Sequence, residues 1–132
     1  MSDLVNKLKK EHETLLKTLN SITISGISSK DGQTKLYAAK EGLIAHLELE
    51  NKDLYPVLRK AAETNENLKR TLDIFAKDME NISKTALDFF SKYASGGESL
   101  EFAKDAGRLI AALKDRIGKE EDGLYAQYDK LV

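Results

Sequence analysis

Four stretches of this chain carry an apolar residue at every third or fourth position, and short polar or glycine-rich breaks separate them. The first stripe runs Leu4, Leu8, Leu15, Leu19 and Ile22, with His12 lying on it. After the connector ISGISSKDGQT a second runs Leu36, Ala39, Leu43, Leu47, Leu54 and Leu58, with His46 and Glu50 on its seam. ETNEN at 63–67 separates it from a third, Leu68, Leu72, Phe75, Met79, Ile82, Ala86, Phe89 and Phe90. ASGGES at 94–99 is the clearest break, and a fourth stripe follows: Ala103, Ala106, Ile110, Leu113, Ile117, Leu124 and Leu131, with Glu120 on it. Residues at this spacing share one face of an α-helix, and that face must be buried against another element. No stretch shows the two-residue period of a strand. The pattern predicts an all-α protein with helices over about 3–23, 32–62, 66–94 and 98–131. Connectors this short make neighbours antiparallel, which defines an up-down-up-down four-helix bundle. Asp31 or Thr34 is available to cap the second helix. Phe75 and Leu113 are expected to be buried.

The length of 132 residues suits one domain spanning 1–132. With 21 basic against 22 acidic residues the net charge is −1, so no basic field exists to hold a phosphate backbone, and nucleic acid is not an expected partner. The chain has no cysteine, which removes disulfides, thiolate zinc sites and iron–sulfur clusters. Any metal must be held by histidine and carboxylate. The N-terminal MSDLVNKLKKEHE lacks the apolar stretch of a signal peptide, and no segment reaches the roughly 20 apolar residues of a membrane span. The expectation is a cytoplasmic protein without membrane association.

A weak internal repeat links the halves. Setting HLELENKDLYP (46–56) over RIGKEEDGLYA (116–126) pairs Leu47 with Ile117, Glu50 with Glu120, Leu54 with Leu124 and Tyr55 with Tyr125, while His46 falls on Arg116. Setting KEHETLLKT (10–18) over KDMENISKT (77–85) pairs Lys10 with Lys77 and Glu13 with Glu80, while His12 falls on Met79. His12, Glu50, Met79 and Glu120 then all lie roughly 14–20 Å from one end of the bundle, at 1.5 Å per residue. His46 and Arg116 sit one turn deeper. These residues form one core layer, the place where bundles build metal sites.

An imidazole and a carboxylate four residues apart on a helix can face the same ion. A lone His-x-x-x-Glu is common and a lone seam histidine is usually core packing, but both histidines and two carboxylates fall in this layer. Charged groups there are costly unless paired or bound to a cation. Charged stretches such as KLKKEHE read as solvated helix faces. Tyr55 and Tyr125 are expected to cap the core with their hydroxyls near water. Glu80 and Glu121 are expected at the surface.

EH in the first helix, HLxxE followed by LYP in the second, and EExxLY in the last together resemble the hemerythrin-like, cation-binding His/His/Glu domains over essentially the whole chain. The resemblance implies a four-helix bundle with a non-heme di-iron centre in its core, serving to bind or sense oxygen, to store iron or to respond to iron and redox state. Carried over by position, it implies metal ligation by His12, His46, Glu50 and Glu120. Two positions depart from the family: Met79 in DMENI and Arg116 in RIGKEE stand where histidines belong.

Two readings stay open. Either the remaining four residues hold one metal ion, or two poorly, such as iron, manganese or zinc, or the Arg116 guanidinium replaces the metal's charge by pairing with Glu50 and Glu120. The first reading predicts metal, oxygen or redox binding or sensing, and the second a metal-free interaction domain. A di-metal oxygen-activating enzyme is a further alternative. A phosphotransfer histidine needs exposure that neither His12 nor His46 has. No nucleophile or substrate pocket is legible, so no enzymatic activity is expected. A homodimer rests only on the frequency of two-fold assemblies.

Overall fold

The structure is a computed structural model that describes residues 2–132, and none of them is in a strand. Helix α1, Asp3–Ser25, starts at Ser2, whose hydroxyl accepts from the Val5 amide at 3.2 Å. The second helix is built from α2 (Lys30–Leu49), a π turn (Glu50–Leu54) and α3 (Tyr55–Ala62). Helix α4, Glu66–Lys92, is capped by Asn65, and the fourth is built from α5 (Ser99–Lys119), a second π turn (Glu120–Leu124) and α6 (Tyr125–Leu131). These are the four helices of the expected bundle, with no predicted end misplaced by more than two residues.

The α1–α2 connector differs in its chemistry. Ser29, not Asp31 or Thr34, caps α2, its hydroxyl accepting from the Gly32 amide at 2.9 Å. Serine satisfies an orphan amide as well as aspartate does, while Asp31 instead pairs with Lys35 at 3.0 Å. The corner is tight: Gly26 ends α1 at φ 87°, and a Cβ on Gly32 would run into the Gly26 carbonyl oxygen. Gly32→Ala is therefore expected to cost about 1–3 kcal/mol. Gly107→Ala, where a Cβ meets open space inside α5, is expected to stabilise by about 0.5–1 kcal/mol. Urea midpoints of the two variants check the pair.

The π turns explain a peculiarity of the second stripe. Buried positions 50, 54, 58 and 62 advance by four. At 100° per residue each such step drifts about 40° off the face, so three would carry Ala62 out of the core. The extra residue of the π turn absorbs about 100° of that drift. Pro56 falls in the first turn of α3, where a missing N–H leaves no bond unmade.

Apolar side chains fill two blocks. One holds Leu15, Leu19, Ile22, Leu36, Leu43, Phe89, Phe102 and Leu113; the other holds Val5, Leu8, Leu54, Leu58, Leu68, Leu72 and Leu124. Leu113 is buried as expected, while Phe75 is half-buried beneath Arg116. The fourth stripe begins on Phe102 rather than Ala103, which is exposed, and Leu131 is exposed at the last turn. Phe102 takes the buried position beside Ala103, and Leu131 is the last residue of α6. The residues between the blocks are polar.

Candidate metal centre

Among the described residues, the buried polar and charged side chains are His12, His46, Glu50, Arg116 and Glu120. His12 lies between Leu8 and Leu15 of α1, His46 near the end of α2 and Arg116 near the end of α5. Glu50 and Glu120 are the first residues of the two π turns. Each of these side chains thus comes from a seam at about the same height, and the layer separates the two apolar blocks. Ligand atoms of His12, His46 and Glu120 all lie within 4.8 Å of one another. Glu50 joins through His46, its Oε1 lying 3.5 Å from His46 Nε2.

Both imidazoles are oriented from behind. His46 Nδ1 lies 2.8 Å from Glu11 Oε1, and His12 Nδ1 lies 3.0 Å from Glu121 Oε2. An acceptor-only carboxylate at Nδ1 places the ring proton there, which leaves each Nε2 lone pair facing the layer. That tautomer suits a metal ligand. Glu121, expected at the surface, is half-buried in this role. Glu11 was not singled out by the seam, because it lies beside the stripe and reaches the second helix's histidine rather than its neighbour His12.

Tyr125 corrects another expectation. Its hydroxyl does not face water; it lies 2.8 Å from Glu50 Oε2, 3.0 Å from Glu120 Oε2 and 3.2 Å from His12 Nε2. The residue is fully buried. A residue five positions after Glu120 shares its face only across a π turn, and that turn was invisible in the stripe of the fourth helix. Tyr55, also buried, has its hydroxyl 3.5 Å from Arg116 Nη2.

Arg116 points inward. Its Nε donates to Glu120 Oε1 at 2.8 Å and its Nη1 to the Phe75 carbonyl at 3.0 Å, and the guanidinium lies 4.6 Å from the Phe75 ring centre. The expected pairing with Glu120 is present; Glu50 is instead held by Tyr125. Met79, half-buried, lines with His12, His46, Arg116 and Glu120 a cavity of about 30 Å³.

Burial and the nearby Glu120 charge push the Glu50 carboxyl up to about 9. Burial also pushes Glu120 up, but its hydrogen bond with Glu50 and the Arg116 charge outweigh that and hold it below the ordinary carboxylate value. His46 is lowered by burial and by His12, against the pull of Glu11. A neutral Glu50, an ionised Glu120 and a cationic Arg116 balance the layer's charge. The hydrogen bonding does not close: His46 Nε2 and Glu50 Oε1 are both buried and have no hydrogen-bond partner among the described residues. Two orphaned acceptor-type atoms 3.5 Å apart, one imidazole nitrogen and one carboxylate oxygen, fit a divalent cation.

A helical bundle with histidines and carboxylates converging in a buried layer, each imidazole backed by a carboxylate, is the architecture of a core cation-binding domain. The family model of the Hemerythrin HHE cation binding domain matches residues 3–128, and the chain belongs to that family. Neither the comparison with curated proteins nor that with solved structures gave a match. No helix among the described residues is long and apolar enough to cross a membrane.

Proposed function

We propose that this domain holds a non-heme metal ion, iron, in its core through His12, His46, Glu50 and Glu120, and that it binds or senses metal, oxygen or redox state. The observation that carries the reading is the orphaned pair, His46 Nε2 and Glu50 Oε1. Leaving two buried polar atoms unpaired costs free energy that a cation between them recovers. Iron, when bound, supplies a Lewis-acid centre that changes oxidation state. The chain's own residues orient it: Glu11 and Glu121 fix the imidazoles, while Tyr125 holds the two carboxylates.

A second reading has its own support. The Arg116–Glu120 pair and a neutral Glu50 already balance the layer's charge, as a metal-free interaction domain requires. Metal analysis of protein purified without chelator, and again after refolding with ferrous iron, separates the two. Stoichiometric iron is expected. Glu50→Gln is expected to weaken iron binding at least about 100-fold, and Glu11→Ala, which frees the His46 ring without removing a ligand, about 10- to 100-fold. Protein that stays free of iron after refolding overturns the metal reading.

A further inference from the structure

We infer that the layer accepts one metal ion rather than two, because the Arg116 guanidinium is a resident cation that fills the second position. This rests on the proposed metal site and adds its stoichiometry and the residue that sets it. The inward-facing acceptor atoms divide into two groups. On one side His46 Nε2 and Glu50 Oε1 are unpaired, and His12 Nε2 and Glu120 Oε2 lie 3.8 Å apart across the Tyr125 hydroxyl. That side has room in its bonding for a cation. On the other side Glu120 Oε1 is already taken by Arg116 Nε at 2.8 Å.

The guanidinium cannot give way easily. Nη1 donates to the Phe75 carbonyl of α4 at 3.0 Å, Nη2 lies 3.5 Å from the Tyr55 hydroxyl of α3, and the Phe75 ring lies 4.6 Å from the guanidinium carbon. Three helices therefore hold one guanidinium cation in place. An ion beside it would meet a like charge in a buried layer whose nearest carboxylate oxygen, Glu120 Oε1, is already taken, with no imidazole on that side. Sequence pairing places Arg116 opposite His46 and Met79 opposite His12, so the second half lacks both nitrogen donors. Divalent charge is excluded there by a built-in monovalent one.

The test counts ions. Parent protein, dialysed anaerobically against excess Fe(II), is analysed by native mass spectrometry and metal content per chain, and after oxidation by electron paramagnetic resonance. One ion per chain is expected, with a ferric signal whose spin count matches the iron. Two ions per chain, or iron that is largely silent because two ferric ions are coupled, overturns the inference while leaving the metal function standing. No ion in the parent overturns the metal function and the inference with it. The double variant Arg116→His, Met79→His is expected to take two ions. If it folds, shown by its circular dichroism, and still takes one, Arg116 is not what closes the second position. Should it fail to fold, the count in the parent decides.

Discussion

Arg116→Ala is expected to remove about 3–5 kcal/mol of stability from the metal-free protein, the largest loss of any single substitution proposed for this chain. The loss is not the worth of the ion pair itself. Taking the Arg116 and Glu120 charges out of water offsets much of their attraction, as for any buried pair. Removing the guanidinium leaves Glu120, almost fully buried, with an unpaired charge, and it leaves the Phe75 carbonyl without its donor. The variant recovers part of the loss only by protonating Glu120. Arg116→Met, Glu120→Gln removes both charges and keeps the shape, so it is expected to be at most half as damaging. Urea unfolding of the single and double variants, with chelator present, measures this. A single variant within about 1 kcal/mol of the parent would mean that something other than Arg116 balances Glu120, and the metal-free reading would fail with it.

The bundle was legible because four stripes at helical spacing, broken by polar segments, leave no other way to bury their apolar faces. Seam position placed His12, His46, Glu50, Arg116 and Glu120 in one layer for the same reason: a side chain on the stripe has nowhere to go but inward. What escaped were contacts that depend on departures from regular geometry. Tyr125 reaches Glu120 across five residues, which a helix of 3.6 residues per turn does not allow. The steps of four through 50, 54, 58 and 62 carried the signal for the first π turn. Glu11 and Glu121 escaped for a different reason. They flank the seam, and an acid there faces water or the back of an imidazole depending on a rotation of the helix that a stripe does not resolve.

The metal-free protein is expected to lose stability as pH rises from 7 to 9, by about 1 kcal/mol per pH unit. The Glu50 carboxyl, raised from 4.5 to about 9 by burial and then by Glu120, keeps its proton in the folded chain and releases it in the unfolded one. Its contribution is whole below 4.5 and disappears as pH climbs through 9. His46 slopes the other way: lowered from 6.5, it contributes fully above that value and loses its share as pH falls below it. Glu120, lowered from 4.5, acts only at more acid pH. Between pH 4.5 and 6.5 the slopes of Glu50 and His46 oppose each other, and above 6.5 only the Glu50 decline remains. Metal bound through Glu50, as proposed, is expected to cancel that decline, because such an ion requires Glu50 as a carboxylate and takes the place of its proton. In excess metal the fall from pH 7 to 9 is expected to vanish, and apparent affinity to rise about tenfold per pH unit up to about 9. Urea midpoints at pH 7, 8 and 9, with chelator and with metal, give both slopes, and Glu50→Gln is expected to flatten the metal-free one. Equal declines with and without saturating metal would exclude Glu50 as a ligand. A flat curve in the metal-free parent would mean that Glu50 is already ionised, with a cation of some kind beside it.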